Sequence, residues 1–311
     1  MADVILRVEN LFKDYGKFQA IGGISFQIPR GRVVGLLGPN GAGKTTTIQI
    51  LVGITLSTSG KIKYFEKDFD KNRQYCLQRI NFTSSFNTLQ GRITVWENLL
   101  VFARLYSVKN PESRIKKLSE ELEIMDLFNQ PFQELSAGQK TRVNLVKSLI
   151  NDPELVLMDE PTASLDPDIA DKMLSLLERI KKERDLSILY TSHDMDEVSR
   201  ICDEVIFLDH GKIVAQDTPL NLTRKISDSE LKIMFDGNKK PLENYLIEKE
   251  QRFSYLNKNT VVIKTGEKQI PKLIFGLGKE GVYITDIEVF KPTLEDVFLE
   301  IARGGKNDRK N

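Results

Sequence analysis

Gly38-Pro39-Asn40-Gly41-Ala42-Gly43-Lys44-Thr45-Thr46 lies between a short apolar run, Val33 to Leu37, and a helix-like run, Thr45 to Leu51. A strand that turns into a helix through glycines is a phosphate cradle. Without side chains, Gly38, Gly41 and Gly43 let backbone N–H groups converge on phosphate oxygens, and the following helix N-terminus adds its partial positive charge. In this pattern Lys44 reaches the β- and γ-phosphates of a nucleotide and Thr45 holds Mg²⁺. The pattern G-x-x-x-x-G-K-[ST] arises by chance in a chain of this length about once in a hundred, and the flanking strand and helix lower that figure further.

Composition sets the frame around this loop. A chain of 311 residues accommodates one large domain and a small one, and 40% hydrophobic residues supply a sizeable core. The formal charge of +1 gives no global electrostatic reason to expect nucleic acid as a partner. The two cysteines, Cys76 and Cys202, have no C-x-x-C spacing, which suits a reducing compartment and argues against a disulfide framework or a zinc site. The start, MADVILRVEN, lacks the basic opening and apolar stretch of a signal peptide, and no run approaches about 18 apolar residues. The expectation is a cytoplasmic protein whose dealings with a membrane go through a partner.

Upstream of the loop, Val4 to Val8 and Ile24 to Ile28 read as strands around Phe12-Lys13-Asp14-Tyr15-Gly16-Lys17. Tyr15 is either a half-buried ring or, placed before a phosphate loop, a surface on which a purine can stack. Downstream, Gly60 to Phe65 reads as a strand and Phe69 to Leu77 as a helix. Thr94 to Leu105 and Pro111 to Met125 read as an inserted pair of helices, the first opened by Thr94 with Glu97 three residues on, the second turning Arg114, Lys116, Glu120 and Glu123 outward. Trp96 suits either core packing or partner docking, the latter in a groove near Ser85, Phe86, Trp96 and Glu97.

Leu135-Ser136-Ala137-Gly138-Gln139 then opens a helix with the apolar stripe Val143, Val146, Leu149 and Ile150. Leu155-Val156-Leu157-Met158 reads as a buried strand ending in Asp159-Glu160. Two carboxylates at that end of a parallel strand lie where open α/β sheets place ligands. One suits the Mg²⁺ of the phosphate site, the other a water. Ser187 to Thr191 is a further strand, ending in Thr191-Ser192-His193-Asp194. His210 falls in a hairpin-turn pattern as solvated punctuation.

Residues 4 to about 224 resemble, along their whole length, the nucleotide-binding domain of ATP-binding cassette transporters. The resemblance rests on five parts in order: the loop at 38–45, the signature at 135–139, the strand at 155–160, Ser164-Leu165-Asp166, and His193. It implies an α/β P-loop fold with a helical signature subdomain, ATP with Mg²⁺ as cofactors, and ATP clasped head to tail between two such domains. Carried onto this chain, it implies that Tyr15 stacks on adenine and that Gly38, Pro39, Asn40, Gly41, Ala42, Gly43, Lys44, Thr45 and Thr46 hold the phosphates. Thr45 and Asp159 hold Mg²⁺, Glu160 polarises the attacking water, and His193 hydrogen-bonds the γ-phosphate. Ser136, Gly138 and Gln139 close on the ATP of the other subunit, making a homodimer the expected form.

Two positions depart from the family. The Gln usual before the helical insertion falls on Ser85, whose hydroxyl can still bind a Mg²⁺-bound water but cannot span the same distance. Ala137 stands where the commonest signature has Gly; at positive φ its methyl costs about 1 kcal/mol, and in a helix nothing is lost.

From about Lys225 the pattern changes to β-α-β-β-α-β, the ferredoxin-like order, followed by a helix from Thr293 to Ala302. The expected organisation is a nucleotide-binding domain over 1–224 with a helical insertion at about 86–150, an accessory α+β domain over 225–303, and a polar tail over 304–311. The segment Pro292-Thr293-Leu294-Glu295-Asp296-Val297-Phe298 resembles the tail of cassette subunits of bacterial exporters that pair with a separate membrane permease. The resemblance thus implies an ATP-hydrolysing exporter subunit. The alternatives are a soluble cassette ATPase acting on DNA or ribosomes, against which the single cassette and the absence of sustained heptads weigh, and a hydrolysis-weak ATP switch, which Ser85 keeps open.

Overall fold

The N-terminal residues form one long hairpin rather than two short strands around a loop. In the computed structural model, which describes residues 3–84, 89–163, 165–225 and 229–299, β1 (Val4–Tyr15) and β2 (Phe18–Pro29) pair antiparallel from Val4↔Pro29 to Tyr15↔Phe18. Register shifts, one of them spanning Asn10 at φ 46°, carry the ladder through the polar residues that read as a break in sequence.

The chain then runs through β3 (Val33–Leu37), α1 (Lys44–Leu51), β4 (Ser59–Tyr64), β5 (Lys67–Asp68), α2 (Arg73–Gln78) and β6 (Ile80–Ser84). The helix expected over Phe69 to Leu77 is shorter because Asn72 N and Asn72 Nδ2 both bond back to Asp68 O, holding a turn first. Three helices follow: α3 (Val95–Leu105), α4 (Pro111–Glu121) and α5 (Ala137–Ser148). Next come β7 (Leu155–Asp159), α6 (Pro167–Arg184), β8 (Ser187–Thr191), α7 (Met195–Ile201), β9 (Glu204–Asp209), β10 (Lys212–Asp217) and α8 (Pro219–Lys225). His210 and Gly211, at φ 45° and 74°, make the turn between β9 and β10, and His210 is exposed.

These strands form two sheets. One is antiparallel, in the order β2-β1-β4-β5; the other runs β10-β9-β3-β8-β7-β6 and is parallel except for β10. Strands β3 and β8 are buried at every residue, which is why they read as unbroken apolar runs. Ile48 and Leu51 of α1 share one core with Leu11 and Ile24 of the hairpin and with Leu36, Leu157 and Leu189 of the parallel sheet. Because β3, β7 and β8 are parallel neighbours, the loops that leave them emerge at the same end of the sheet.

Each inserted helix has a physical start. Thr94 and Glu97 exchange side-chain and backbone bonds as a capping box, and Ser136 and Gln139 do the same for α5. The second helix ends at Glu121 rather than Met125, since Glu123 takes φ 54°. Arg114 does not turn outward. Its Nη2 donates to Leu149 O at 2.9 Å and to Asp152 Oδ1 at 2.8 Å, with Nε on Ile150 O at 3.4 Å. It satisfies carbonyls at the end of α5 that the helix itself leaves open.

The chain divides into two units between Pro219 and Leu220. The second takes in α8 from Leu220 on and holds β11 (Ser229–Asp236), α9 (Lys239–Glu248), β12 (Arg252–Asn257), β13 (Thr260–Thr265), α10 (Ile270–Lys279) and β14 (Tyr283–Phe290). From β11 on this is a β-α-β-β-α-β order, folded as an antiparallel sheet β12-β13-β11-β14. Leu231, Ile233 and Phe235 alternate inward along β11 against Leu242 and Leu246 of α9 and Leu273 and Leu277 of α10. Past β14, Thr293 and Asp296 bond reciprocally at the start of a helix over 294–299.

Candidate functional site

The loop after β3 is shaped by backbone crowding. Gly38 has φ 148°, and a Cβ there would lie 2.2 Å from Leu208 O; Gly43 has φ 105°, and a Cβ would lie 2.7 Å from Ala20 O. Neither position admits a side chain. The base of the loop is tied down by Ala42, whose N–H donates to Pro39 O and whose carbonyl accepts from Gly211 N at 3.1 Å. Its rim at Asn40 and Gly41 is exposed, as is Thr45.

Lys44 is 8% exposed and folds back over the loop, with Nζ donating to Gly38 O at 2.6 Å and Pro39 O at 3.2 Å. Burial lowers its pKa, against which the negative charges of Glu160 and Asp159 act. A desolvated ammonium beside the leading N–H groups of α1 makes this a site for a polyanion. Thr46 is half-buried, and the buried Thr47 hydroxyl donates to Gly43 O at 2.8 Å.

Asp159 closes β7 directly opposite Thr191 of β8. Thr191 Oγ1 donates to Asp159 Oδ1 at 2.7 Å and accepts from Glu160 N at 3.0 Å, while Thr191 O accepts the same N–H at 3.1 Å. Burial raises the Asp159 pKa, and the Thr191 bond opposes that rise. Glu160 has φ 49°, a left-handed backbone that costs a non-glycine residue about 1–2 kcal/mol. The surrounding bonds hold it there, and its Oε2 stands 3.3 Å from His193 Nδ1. Thr191 was not distinguished in sequence from its neighbours: a hydroxyl at a strand end becomes a hub only when two strands are in register.

The remaining predicted positions are spread more widely. Tyr15 lies at the end of β1, 48% exposed, with Lys13 Nζ 4.6 Å from its ring centroid. Ser136, Gly138 and Gln139 start α5. Gly138 is buried, and a Cβ there would meet Ile169 Cγ2 at 2.9 Å, so it also serves helix packing. Ala137 is the first residue of α5 and has no positive φ, so its methyl costs nothing. Trp96 is half-buried, its ring centroid 5.1 Å from that of Phe128. Ser85, Phe86 and Ser164 lie outside the described residues.

Thr45 and Asp159 offer hard oxygen donors of the type Mg²⁺ prefers. Among the described residues no group of three or more His, Cys, Asp or Glu side chains is placed to hold a metal.

The ABC transporter family model matches residues 21–163. The Nod factor export ATP-binding protein I of Rhizobium sp. (strain N33) is 31% identical over 304 residues, 97% of this chain and 98% of that one. The linearmycin resistance ATP-binding protein LnrL of Bacillus subtilis (strain 168) is 29% identical over 96% of this chain and 98% of that one. Among solved structures, cbiO1 from Clostridium perfringens, part of the ABC transporter complex cbiONQ, superposes with a TM-score of 0.64 at 31% identity, covering 72% of this chain and 94% of that one. An ATP-binding cassette of an ABC transporter in its ADP conformation gives 0.62 at 27% identity, over 69% of this chain and 91% of that one. Alignable end to end with ATP-binding proteins of export systems, and with a first unit built as a phosphate loop facing paired carboxylates, this chain belongs to the ABC transporter family as an ATP-binding subunit of the exporter type.

Proposed function

We propose that this chain hydrolyses ATP in the crevice between loop 38–46 and the ends of β7 and β8, and that two copies use the cycle to drive export through a separate membrane permease. The observation that carries this reading is the Glu160 carboxylate at 3.3 Å from His193, with Lys44 close enough to Glu160 and Asp159 for their charges to act on it. In this reading the loop amides from Gly38 to Thr46 and Lys44 hold the phosphates, and Tyr15 stacks on adenine. Thr45 and Asp159 would hold Mg²⁺, whose positive charge would offset that of the phosphates. Glu160 orients a water and takes its proton, while His193 donates to the γ-phosphate. Bulk water must be excluded, and the reacting water held in place, for a carboxylate to do this well.

Ser136, Gly138 and Gln139 stand on an element of their own, which suits contact with ATP held by the second copy. A triphosphate neutralised from both sides joins the two copies, and loss of the γ-phosphate removes part of that join. In this reading a separate permease crosses the membrane and the chain sits on its cytoplasmic face; among the described residues no helix is long and apolar enough to cross a membrane. Relatives at 31% and 29% identity carry names with two different compounds, one exported and one resisted, which supports cargo choice by the permease. The accessory unit is read as dimer support, regulation or structural padding.

The test uses the full-length chain. Wild type turns over ATP with Mg²⁺; Glu160→Gln retains ATP, loses at least about 100-fold in kcat, and becomes a dimer in ATP by sedimentation. Failure of Glu160→Gln to dimerise, alone and with the permease, overturns the two-copy reading. Absence of wild-type turnover in both settings would instead favour the ATP-switch alternative that Ser85 raises.

A further inference from the structure

Glu197 is 7% exposed, on the first turn of α7, and has no part in the site as assigned above. Three hydroxyls converge on its Oε2: Thr162 Oγ1 at 2.7 Å, Tyr190 OH at 2.8 Å and Ser192 Oγ at 3.0 Å. Their positions in the chain matter. Thr162 lies two residues after Glu160, Ser192 directly precedes His193, and Tyr190 directly precedes Thr191, the residue that holds Asp159 and the Glu160 N–H. The backbone of Glu197 is pinned in turn, because Asp194 Oδ1 accepts from the N–H groups of Asp196 and Glu197.

Hydroxyl donors to a carboxylate make short, charge-assisted bonds. A carboxylate oxygen accepts all three; an amide oxygen is a weaker acceptor, and its NH₂ brings donors into a cluster already made of donors. We propose that Glu197 is a positioning residue for ATP hydrolysis. It ties the segment after Glu160 to the segment before His193 and thereby sets the approach of Glu160 Oε2 to His193 Nδ1. The proposal rests on the reading that Glu160 and His193 act on water and the γ-phosphate. Among the described residues no hydrogen bond joins the cluster to loop 38–46, so it bears on turnover more than on nucleotide capture.

The experiment uses the full-length chain, and wild-type hydrolysis is measured first, since its absence strikes at the functional reading and not at Glu197. Given wild-type turnover, Glu197→Gln lowers kcat about 10- to 100-fold, the scale of a reacting group misplaced by up to 1 Å, with ADP affinity and KM for ATP within about twofold of wild type. Thr162→Val and Ser192→Ala, each leaving two of the three hydroxyls, lower kcat by smaller factors. In a His193→Ala background, Glu197→Gln adds no further loss, because the pair it positions is already gone. Unchanged kcat in Glu197→Gln, or an equal multiplicative loss in the His193→Ala background, overturns the proposal. Should Glu197→Gln fail to fold, Thr162→Val and Ser192→Ala decide by the same split between kcat and affinity.

Discussion

At the scale of single residues, the site is a set of positions where one atom more or less changes what the backbone can do. Gly38 and Gly41 both have positive φ, yet a Cβ at Gly38 would strike Leu208 O at 2.2 Å while one at Gly41 meets nothing within 4 Å. Gly38→Ala should therefore destabilise the fold by about 2 kcal/mol or more and abolish nucleotide binding, whereas Gly41→Ala bears only a backbone penalty of about 1 kcal/mol. Denaturant titration with ADP affinity measured alongside separates the two. Thr191 acts twice, as donor to Asp159 and acceptor from Glu160. Thr191→Val keeps the shape and removes both bonds, so kcat should fall at least about tenfold while stability falls by about 1–3 kcal/mol.

At the scale of elements, α5 carries a capping box at one end, has Arg114 on its last carbonyls at the other, and makes a lysine contact in between. Ser136→Ala should cost about 1 kcal/mol through the lost cap. Ala137→Gly should give no gain, since Ala137 is already helical; denaturation midpoints for the two variants check both. Lys147 donates to Asn81 Oδ1 at 3.1 Å and Phe82 O at 2.8 Å and lies 5.1 Å from the Phe102 ring centroid. Burial pushes its pKa down from 10.5 to about 8. Between those values the unfolded chain binds a proton that the folded chain has released, so stability gains with rising pH across that window. Below about 8 both states carry the charge and the burial penalty is present in full. The stability of wild type relative to Lys147→Met should accordingly improve between pH 7.5 and 9.5, as read from denaturant midpoints at the two pH values.

At the scale of the whole chain, each of the two units has a hydrophobic core of its own. A nucleotide that binds only the folded first unit stabilises it by RT ln(1 + [L]/Kd), about 2.7 kcal/mol at a hundredfold excess over Kd. Calorimetry should resolve two transitions, with ADP raising the one that belongs to residues 1–219 and leaving the other in place. A single transition shifted as a whole would show that the two cores unfold together.

The sequence by itself determined the loop, the buried strands and the first inserted helix's cap, because each is written in neighbouring residues: glycines before Lys44, apolar runs in β3, β7 and β8, and Thr94 three residues before Glu97. It also placed Asp159, Glu160 and His193 at strand ends, since a strand stops where its apolar run stops. It broke the first hairpin too early, because bulges let polar residues stay in a ladder, and it turned Arg114 outward, because the carbonyls that bind it lie 35 and 36 residues away. Only the tertiary structure decided that Thr191 grips both acids and that Thr162, Tyr190 and Ser192 meet on Glu197. Hydroxyls carry no periodic signal, and their partners are chosen by the register of adjacent parallel strands and the helix that follows, which no local run of residues encodes.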